Sequence, residues 1–385
     1  MRSPSACAGP GNDSFSGDIP GPPGRAGVTG PKRRDDLGDL EGYHSPQVDV
    51  AVRLNTNESP YPPPPAFFEA WTAEVSRASA HRYPDRAARA LRAALGGFLG
   101  VPSGRVFCAN GSNEVLQTLL LTYGGPGRTA LVFEPSYVLH AHIARITGTG
   151  VLTGERRPDF SLDPDTAVGL VEDHEPDLVF LTTPNNPTGM VEPRETVEAI
   201  AGRIAARAKP GLLIVDEAYA EFSPWSAIDM VADGVPLVVA RTYSKVWSMA
   251  AFRLGFCVAP EPIVEELEMV VLPYHLSVPT QLAGTVALRF TGDMDVRVSS
   301  IMAERDRVGA ALAALDGVEP FPSGANFILF RTADGQATWE GLLEAGVLVR
   351  NFARWPRLDD CLRVTIGRPE ENDAFLAALK EVLAS

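Results

Sequence analysis

Six short apolar runs, separated by stretches with helical periodicity, constrain the fold of this 385-residue chain most strongly. The runs are RVFCAN, TALVFE, DLVFLTT, GLLIVDE, PLVVAR and RLGFCVA. Near-continuous apolar strands are typical of parallel sheets, because such sheets are buried on both faces. The alternation of these runs with amphipathic helices therefore predicts an α/β fold whose mainly parallel sheet is covered by helices.

The C-terminal part predicts a smaller, second domain. A long helical region follows LPYHLS (272–277) and runs to about Leu315, and VEPF, NFILF, VLVR and LRVTI predict strands before a terminal helix. A chain of this length with 45% hydrophobic residues can bury a large core and divide into two domains. The expected parts are a disordered Gly/Pro/Ser-rich tail (1–40), an N-terminal arm contributing to the small domain and the active site (41–65), a large domain (66–290) and a small α+β domain (291–385).

Lys245 lies in RTYSKVWSMAAFRLGF, downstream of TTPNNPTG (182–189) and VDEAYAEF (215–222). Together these segments contain the parts of a pyridoxal-phosphate site. Lys245 can form a Schiff base with the cofactor aldehyde, and Ser244 with Arg253 can hold the phosphate. Asp216, at the carboxyl end of an apolar strand, can lie against the protonated pyridine nitrogen, and Tyr219 can reach the ring's phenolic oxygen.

The chemistry adds two expectations. An amine attacks an aldehyde only after losing its proton, so burial and the nearby Arg253 should depress the pKa of Lys245. In NGSNEVLQ (110–117), Gly111 and Ser112 begin a helix after a strand, where backbone N–H groups and the helix dipole favour a phosphate. Asn113 and Thr242 complete the predicted cofactor-binding set.

These motifs resemble those of the fold-type I aminotransferases. The resemblance rests on TTPNNPTG, DEAYAEF, the Ser-Lys pair with Arg253 eight positions later, LPYHLS, GANFILF (324–330) and CLRVTIGRPEEN (361–372). With RLNTNESPYPPPP (53–65), RYPD (82–85) and NGSNEVLQ, the combination resembles the histidinol-phosphate aminotransferase family from roughly Tyr43 onward. It implies a cytoplasmic, pyridoxal-phosphate-dependent homodimer that exchanges an amino group between glutamate and a phosphorylated keto substrate.

The resemblance also implies roles for single residues near the cofactor. Tyr137 in EPSY matches an aromatic residue that stacks on the pyridine ring, although a tyrosine there can also simply open a helix. Asn186 matches an asparagine that hydrogen-bonds the phenolic oxygen. Tyr83 of RYPD matches a tyrosine that crosses from the neighbouring subunit to the cofactor phosphate.

Substrate binding is assigned in the same way. Arg363 in CLRVT matches the family's main anion-binding arginine, and Arg350 in VLVR matches a second one. Tyr43 matches a phosphate-contacting tyrosine, and Asn326 is expected to order this region. Because the arginine fork binds carboxylate and phosphate alike, one site can serve both half-reactions.

One segment departs from the family. The residues after the lysine are usually small and include glycine, whereas this chain has VWSMAAFR, with the bulkier Val246, Trp247 and Met249. The departure bears on the acceptor pocket, so an aromatic amino-acid aminotransferase and a threonine-phosphate decarboxylase remain open. A non-catalytic, pyridoxal-phosphate-binding regulatory protein is a further alternative.

Composition excludes other classes. A net charge of −14 disfavours nucleic acid and anionic membranes, so anionic ligands need a local cluster of arginines and N–H groups. No apolar stretch approaches a membrane span.

The four cysteines lack CxxC spacing and are expected to be reduced thiols, and His140 and His142 do not share a helix face, which disfavours a metal pair. GTGVLTG (148–154) fails the strand–turn–helix test for a dinucleotide loop.

Overall fold

A computed structural model describes residues 34–37, 40, 42 and 48–384 of the chain. The chain divides into residues 1–40 and residues 41–385. The described part of the first unit contains one 3-10 turn, Asp35–Leu37. Most of the predicted tail, including Cys7, and also Tyr43 lie outside the described residues, so the predictions made for them stay predictions.

The second unit contains the strands and α-helices. The strands are β1 (Val52–Leu54), β2 (Val106–Ala109), β3 (Thr129–Glu134), β4 (Gly150–Glu155), β5 (Leu178–Thr182), β6 (Leu212–Asp216), β7 (Leu237–Thr242), β8 (Gly255–Val258), β9 (Glu319–Pro320), β10 (Phe327–Arg331), β11 (Val347–Asn351) and β12 (Cys361–Thr365). The helices are α1 (Pro65–Ser76), α2 (Arg89–Leu99), α3 (Ser112–Tyr123), α4 (Leu139–Ile146), α5 (Pro164–His174), α6 (Arg194–Ala205), α7 (Glu261–Val270), α8 (Val278–Ala287), α9 (Thr291–Ala313), α10 (Gly335–Glu344) and α11 (Pro369–Ala384).

Seven strands form a mostly parallel sheet in the order β2-β8-β7-β6-β5-β3-β4. Only β8 runs antiparallel to its neighbours within this sheet. Every residue of β2, β5, β6 and β8 is buried, as expected for a sheet covered on both faces. Because β5, β6 and β7 are parallel and in register, their carboxyl ends meet along one edge, where Thr182 pairs with Asp216.

The second sheet has the order β1-β11-β12-β10-β9. It is antiparallel except for β1, which joins β11 in parallel. Arg350 on β11 pairs directly with Arg363 on β12. This register brings the two predicted anion-binding arginines side by side.

The structure confirms the α/β architecture and the six apolar runs as strands. Two strands were not predicted: β4, whose sequence GVLTGE is rich in small and polar residues, and the three-residue β1. The long helical region is α8, a 3-10 turn and α9. The boundaries of the large and small domains stay a prediction. Within residues 48–384 we find no helix whose length and apolar character together suit a bilayer crossing.

Gly255 allows β8 to pass directly beneath the start of α3. A Cβ at this position would overlap the backbone of Gly111 and Ser112. Neither neighbour can move as a flexible side chain would, because both contacts are with main-chain atoms. The position of the α3 N-terminus therefore depends on the missing side chain of Gly255.

We predict that Gly255→Ala lowers the free energy of unfolding by about 1–3 kcal/mol, the usual cost of forcing extra atoms into a packed interior. Urea unfolding measures this change. Gly97→Ala on α2 is the matched control, since nothing lies within 4 Å of its added Cβ. Equal unfolding midpoints for Gly255→Ala and the wild type would contradict the conclusion that the α3 N-terminus requires a residue without a side chain at position 255.

Candidate active site

A cavity of about 230 Å³ lies at the edge where β5, β6 and β7 end. The residues that line it come from both sheets and from the N-terminal arm. The predicted site residues among them are Ser112, Asn113, Tyr137, Asn186, Asp216, Tyr219, Thr242, Ser244, Lys245, Arg253 and Arg363. The structure thus brings together segments that are far apart in the sequence.

Lys245 projects into this main cavity. Its Nζ donates to the carbonyl oxygen of Thr56 at 3.2 Å and lies 5.6 Å from the ring centroid of Tyr219. Burial, together with the positive charge of Arg363 and a smaller effect of Arg253, lowers the pKa of Lys245 to about 8, although the negative charges of Glu58 and Asp216 act in the opposite direction. The expected depression of this pKa is present, and Arg363 is a contributor that the sequence did not reveal. A substantial fraction of the amine is therefore neutral and nucleophilic near pH 8.

Asp216 is buried at the end of β6 and is held by two donors. The N–H of Ala218 donates to its Oδ1 at 3.1 Å, and Nε2 of His140 lies 3.0 Å from its Oδ2. Because a carboxylate only accepts hydrogen bonds, Nε2 carries the proton in this contact. The carboxylate is fixed in orientation by these two bonds.

His140 is the functional residue that the sequence reasoning missed. It is fully buried on α4, stacks on Phe180 at a centroid distance of 4.9 Å and meets Tyr137 edge-on at 5.3 Å. Its position three residues after Tyr137, in the turn that leads into α4, is the available signal, since the N–H of His140 donates to the carbonyl of Tyr137 at 3.0 Å. Considering His140 only as a metal ligand concealed this role.

A cradle for an anion forms around the start of α3. Gly111 has a φ of 82°, and a Cβ on it would lie 2.7 Å from Nη2 of Arg253, so a side chain would fill the cradle. Nη1 of Arg253 lies 3.4 Å from Oγ of Ser244, to which Thr242 donates at 3.0 Å. A guanidinium, hydroxyl groups and a helix N-terminus are a donor set that suits a phosphate.

The aromatic walls of the cavity are fixed by amide side chains. The hydroxyl of Tyr137 donates to Oδ1 of Asn113 at 3.2 Å, and that of Tyr219 accepts from Nδ2 of Asn57 at 2.9 Å. Asp216, Tyr137 and the cradle residues Ser112, Ser244 and Arg253 line one cavity, so the residues present fit pyridoxal phosphate.

Arg363 lies where the main cavity meets a smaller one. It is buried on β12, donates to the carbonyl of Asn55 at 2.9 Å and donates to Oδ1 of Asn186. Its guanidinium lies over the rings of Phe327 and Phe352 at 5.1 and 5.4 Å. Contacts with amides and ring faces hold the arginine while it faces the cavity.

The smaller cavity, called the side pocket here, has a volume of about 70 Å³. Its lining comes from strands of both sheets and from the loops that follow them. Its lining residues are Glu134, Pro135, Ser136, Tyr137, Val138, Asn186, Pro187, Arg350, Phe352, Trp355, Pro356, Leu358 and Arg363. Both predicted anion-binding arginines therefore face one space.

Several predicted residues are not in the main cavity. Asn326 is fully buried and donates to the carbonyl of Asn57 at 3.1 Å, which is an ordering contact. Tyr83 is 80% exposed and lines neither the main cavity nor the side pocket. Trp247 and Met249 face the core instead of the acceptor pocket, as does Val246. The bulky side chains of Val246, Trp247 and Met249 therefore do not narrow the site.

Comparison with known proteins decides the family. The model of "Aminotransferase class I and II" matches residues 49–379. The chain belongs to this aminotransferase family. It is thus a transaminase of the fold-type I class, and the predictions of that activity and of pyridoxal phosphate as its cofactor are confirmed.

Proteins similar to this aminotransferase align with it over about nine-tenths of its length. The histidinol-phosphate aminotransferase of Thermobifida fusca is 46% identical over 355 residues, covering 90% of this chain and 94% of the relative. That of Mycolicibacterium smegmatis is 46% identical over 360 residues, covering 91% and 93%. The solved histidinol-phosphate aminotransferase of Sinorhizobium meliloti in complex with pyridoxal-5'-phosphate has a TM-score of 0.84 at 24% identity, covering 93% of this chain and 99% of that one.

We predict that the protein freed of cofactor takes up pyridoxal phosphate faster as the pH rises, with the rate levelling off above about 8, because only the neutral amine of Lys245 reacts. Growth of the absorption band near the visible edge, followed over a pH series, measures this. Lys245→Ala should lack the band and nearly all turnover at every pH, while the exposed Lys380→Ala should match the wild type. An unchanged band in Lys245→Ala would refute the assignment.

Proposed function

We propose that this aminotransferase is a histidinol-phosphate aminotransferase, which transfers the amino group between L-histidinol phosphate and 2-oxoglutarate in histidine biosynthesis. The observation that carries the proposal is the direct pairing of Arg350 and Arg363 beside a pocket that shares Arg363 with the main cavity. The names of relatives that are 46% identical over about nine-tenths of the chain support it.

The two arginines suit a pair of different substrates. Glutamate presents carboxylates, whereas histidinol phosphate has no α-carboxylate and presents a phosphate. Arg363 faces both cavities, so it is placed to bind the anion of either substrate. Arg350 faces only the side pocket, where a second cation favours the more highly charged phosphate.

The chain's own side chains orient the cofactor and move the proton of the reaction. Pyridoxal phosphate, when bound, supplies a protonated ring that stores the electrons of the broken Cα–H bond. Asp216, fixed by His140 and Ala218, favours the protonated ring nitrogen by charge pairing. Asn186 and Tyr219 are assigned to the phenolic oxygen. Lys245 takes the proton from the substrate Cα at Nζ.

We predict that Arg363→Ala weakens the use of both glutamate and imidazole acetol phosphate about tenfold to hundredfold, since a charge-assisted, partly desolvated contact is worth roughly 1.5–3 kcal/mol. Steady-state kinetics with each substrate measures kcat/KM. Arg350→Ala is the comparison and should spare glutamate more than the phosphorylated substrate. Loss of only the keto substrate in Arg363→Ala would argue against a shared anion site.

The same kinetics separate the alternatives. An aromatic amino-acid aminotransferase would prefer phenylpyruvate to imidazole acetol phosphate, and a threonine-phosphate decarboxylase would release carbon dioxide from its substrate.

The proposal includes a cytoplasmic homodimer in which Tyr83 contacts the partner's cofactor. Tyr83 stacks on Tyr274 with ring centroids 4.5 Å apart, and Met269 and Leu272 near the end of α7 are 73% and 77% exposed. Exposed apolar side chains of this kind favour an interface with a second chain. Tyr83 is then available to the neighbouring site, and Tyr83→Phe should weaken cofactor retention.

A mixture of Tyr83→Ala and Lys245→Ala chains should regain part of the activity that each variant lacks. In such a heterodimer, one site combines an intact Lys245 from one chain with an intact Tyr83 from the other. The measurement is turnover after unfolding and refolding the two variants together, with each variant refolded alone as control. Verified heterodimers without activity would count against a shared site.

A further inference from the structure

The turn that follows Lys245 ends in a residue with a strained backbone. Ser248 has a φ of 59°, in the left-handed region that residues other than glycine rarely adopt. Its N–H donates to the carbonyl of Lys245 at 3.0 Å, which closes the turn three residues after the lysine. A strained backbone persists where the surrounding contacts fix the residue, and the side chain of Ser248 makes such contacts.

The hydroxyl of Ser248 belongs to a directed chain of hydrogen bonds. Nη1 of Arg297 on α9 donates to Oγ of Ser248 at 3.2 Å. Ser248 in turn donates to Oγ of Ser59 at 2.9 Å, and Ser59 donates to the carbonyl of Tyr61 at 3.2 Å. Each hydroxyl therefore accepts one bond and donates one, which uses its single proton without conflict. The chain of bonds connects helix α9, the turn after the lysine and the N-terminal arm.

A second link between the arm and the turn lies three residues earlier in each segment, where Nζ of Lys245 donates to the carbonyl oxygen of Thr56 at 3.2 Å. The two links differ in their chemistry. Nζ has to leave Thr56 when it reacts with the cofactor aldehyde. Ser59 and Ser248 do not line the main cavity, so their hydrogen bond can persist throughout turnover.

The arm holds two groups of the active site in place. The carbonyl of Asn55 accepts from Arg363 at 2.9 Å, and Nδ2 of Asn57 donates to the hydroxyl of Tyr219 at 2.9 Å. Both contacts lie within four residues of Ser59. Release of the arm at Ser59 would therefore let the anion-binding arginine move, and substrate binding would weaken.

We propose that Ser248 is a positioning residue, which holds the arm against the turn after Lys245 once the lysine amine has left Thr56. Its hydroxyl acts through Ser59 and not on the substrate. The inference goes beyond the identity of the keto substrate, because the arm and the lysine serve every substrate of this site.

Hydrogen exchange of the arm amides (52–61), followed by mass spectrometry, tests the link directly. Ser248→Gly removes the hydroxyl and relieves the strained φ, so this variant should fold. Exchange in its holoenzyme should be about two- to tenfold faster than in the wild type, the effect of one net hydrogen bond. The change should be smaller in the cofactor-free protein, where Lys245 still holds Thr56. Ser299→Ala is the matched control, because this exposed serine of α9 donates to a carbonyl of its own helix.

Steady-state kinetics with glutamate gives a second readout. Ser248→Gly and Ser59→Ala should each raise KM for glutamate about two- to tenfold and leave kcat little changed, since the link supports binding and not proton transfer. The double variant should be no worse than either single variant, because both changes remove the same bond. Ser59→Thr keeps the hydroxyl and should retain the wild-type KM.

Wild-type exchange of the arm in the Ser248→Gly holoenzyme would overturn the inference. Equal acceleration with and without pyridoxal phosphate would also overturn it, because the link would then act independently of the lysine. Additive effects of the two serine substitutions would show that the residues do not act through each other. A wild-type enzyme inactive on imidazole acetol phosphate would refute the proposed function alone, since the exchange measurement needs no substrate.

Discussion

The buried segment Asn55–Asn57 imposes the constraint on which the active site depends. Backbone carbonyl groups removed from water must find donors, or they cost the free energy of a lost hydrogen bond. Here each carbonyl of the segment finds a side chain from a different part of the chain: Arg363 for Asn55, Lys245 for Thr56 and Asn326 for Asn57. Two of these three donors are also the residues assigned to chemistry and to substrate binding. The arm thus positions Lys245 and Arg363 relative to each other, although Lys245 follows a strand of the larger sheet and Arg363 lies on the smaller sheet.

This arrangement explains which parts of the site could be predicted from the sequence. Asp216 and Lys245 stand next to buried strands, and the parallel register of β5, β6 and β7 brings strand ends together whatever the connecting helices contain. The local sequence pattern and elementary chemistry were therefore sufficient to predict the positions of Asp216 and Lys245. The positions of Arg350 and Arg363 followed from the family resemblance, and the antiparallel register of β11 and β12 supplies the physical reason for their proximity.

The other features of the site and the fold could not be predicted, because no local sequence pattern indicates them. His140 looks like any core histidine until Asp216 is known to lie 3.0 Å away. The bulky Trp247 was expected to alter the acceptor pocket, yet its side chain packs on Phe98 and Tyr243 in the core, because the chain turns away from the cavity directly after Lys245. Strands β1 and β4 are short or polar and are defined by their neighbours rather than by their own composition.

The links made by Asn55–Asn57 also determine when the site can form during synthesis of the chain. Asn57 forms hydrogen bonds with Tyr219, 162 residues later in the sequence, and with Thr365, 308 residues later. Asn55 accepts a hydrogen bond from Arg363 across the same separation of 308 residues. Contacts so distant in sequence form late, because a long loop must close before they contribute any stability. The seven strands of the larger sheet are complete by Val258, so a nascent chain can assemble the cofactor cradle well before its lysine and its anion-binding arginine are held together. The chain can thus form the cofactor cradle at an earlier stage of translation than the complete substrate site.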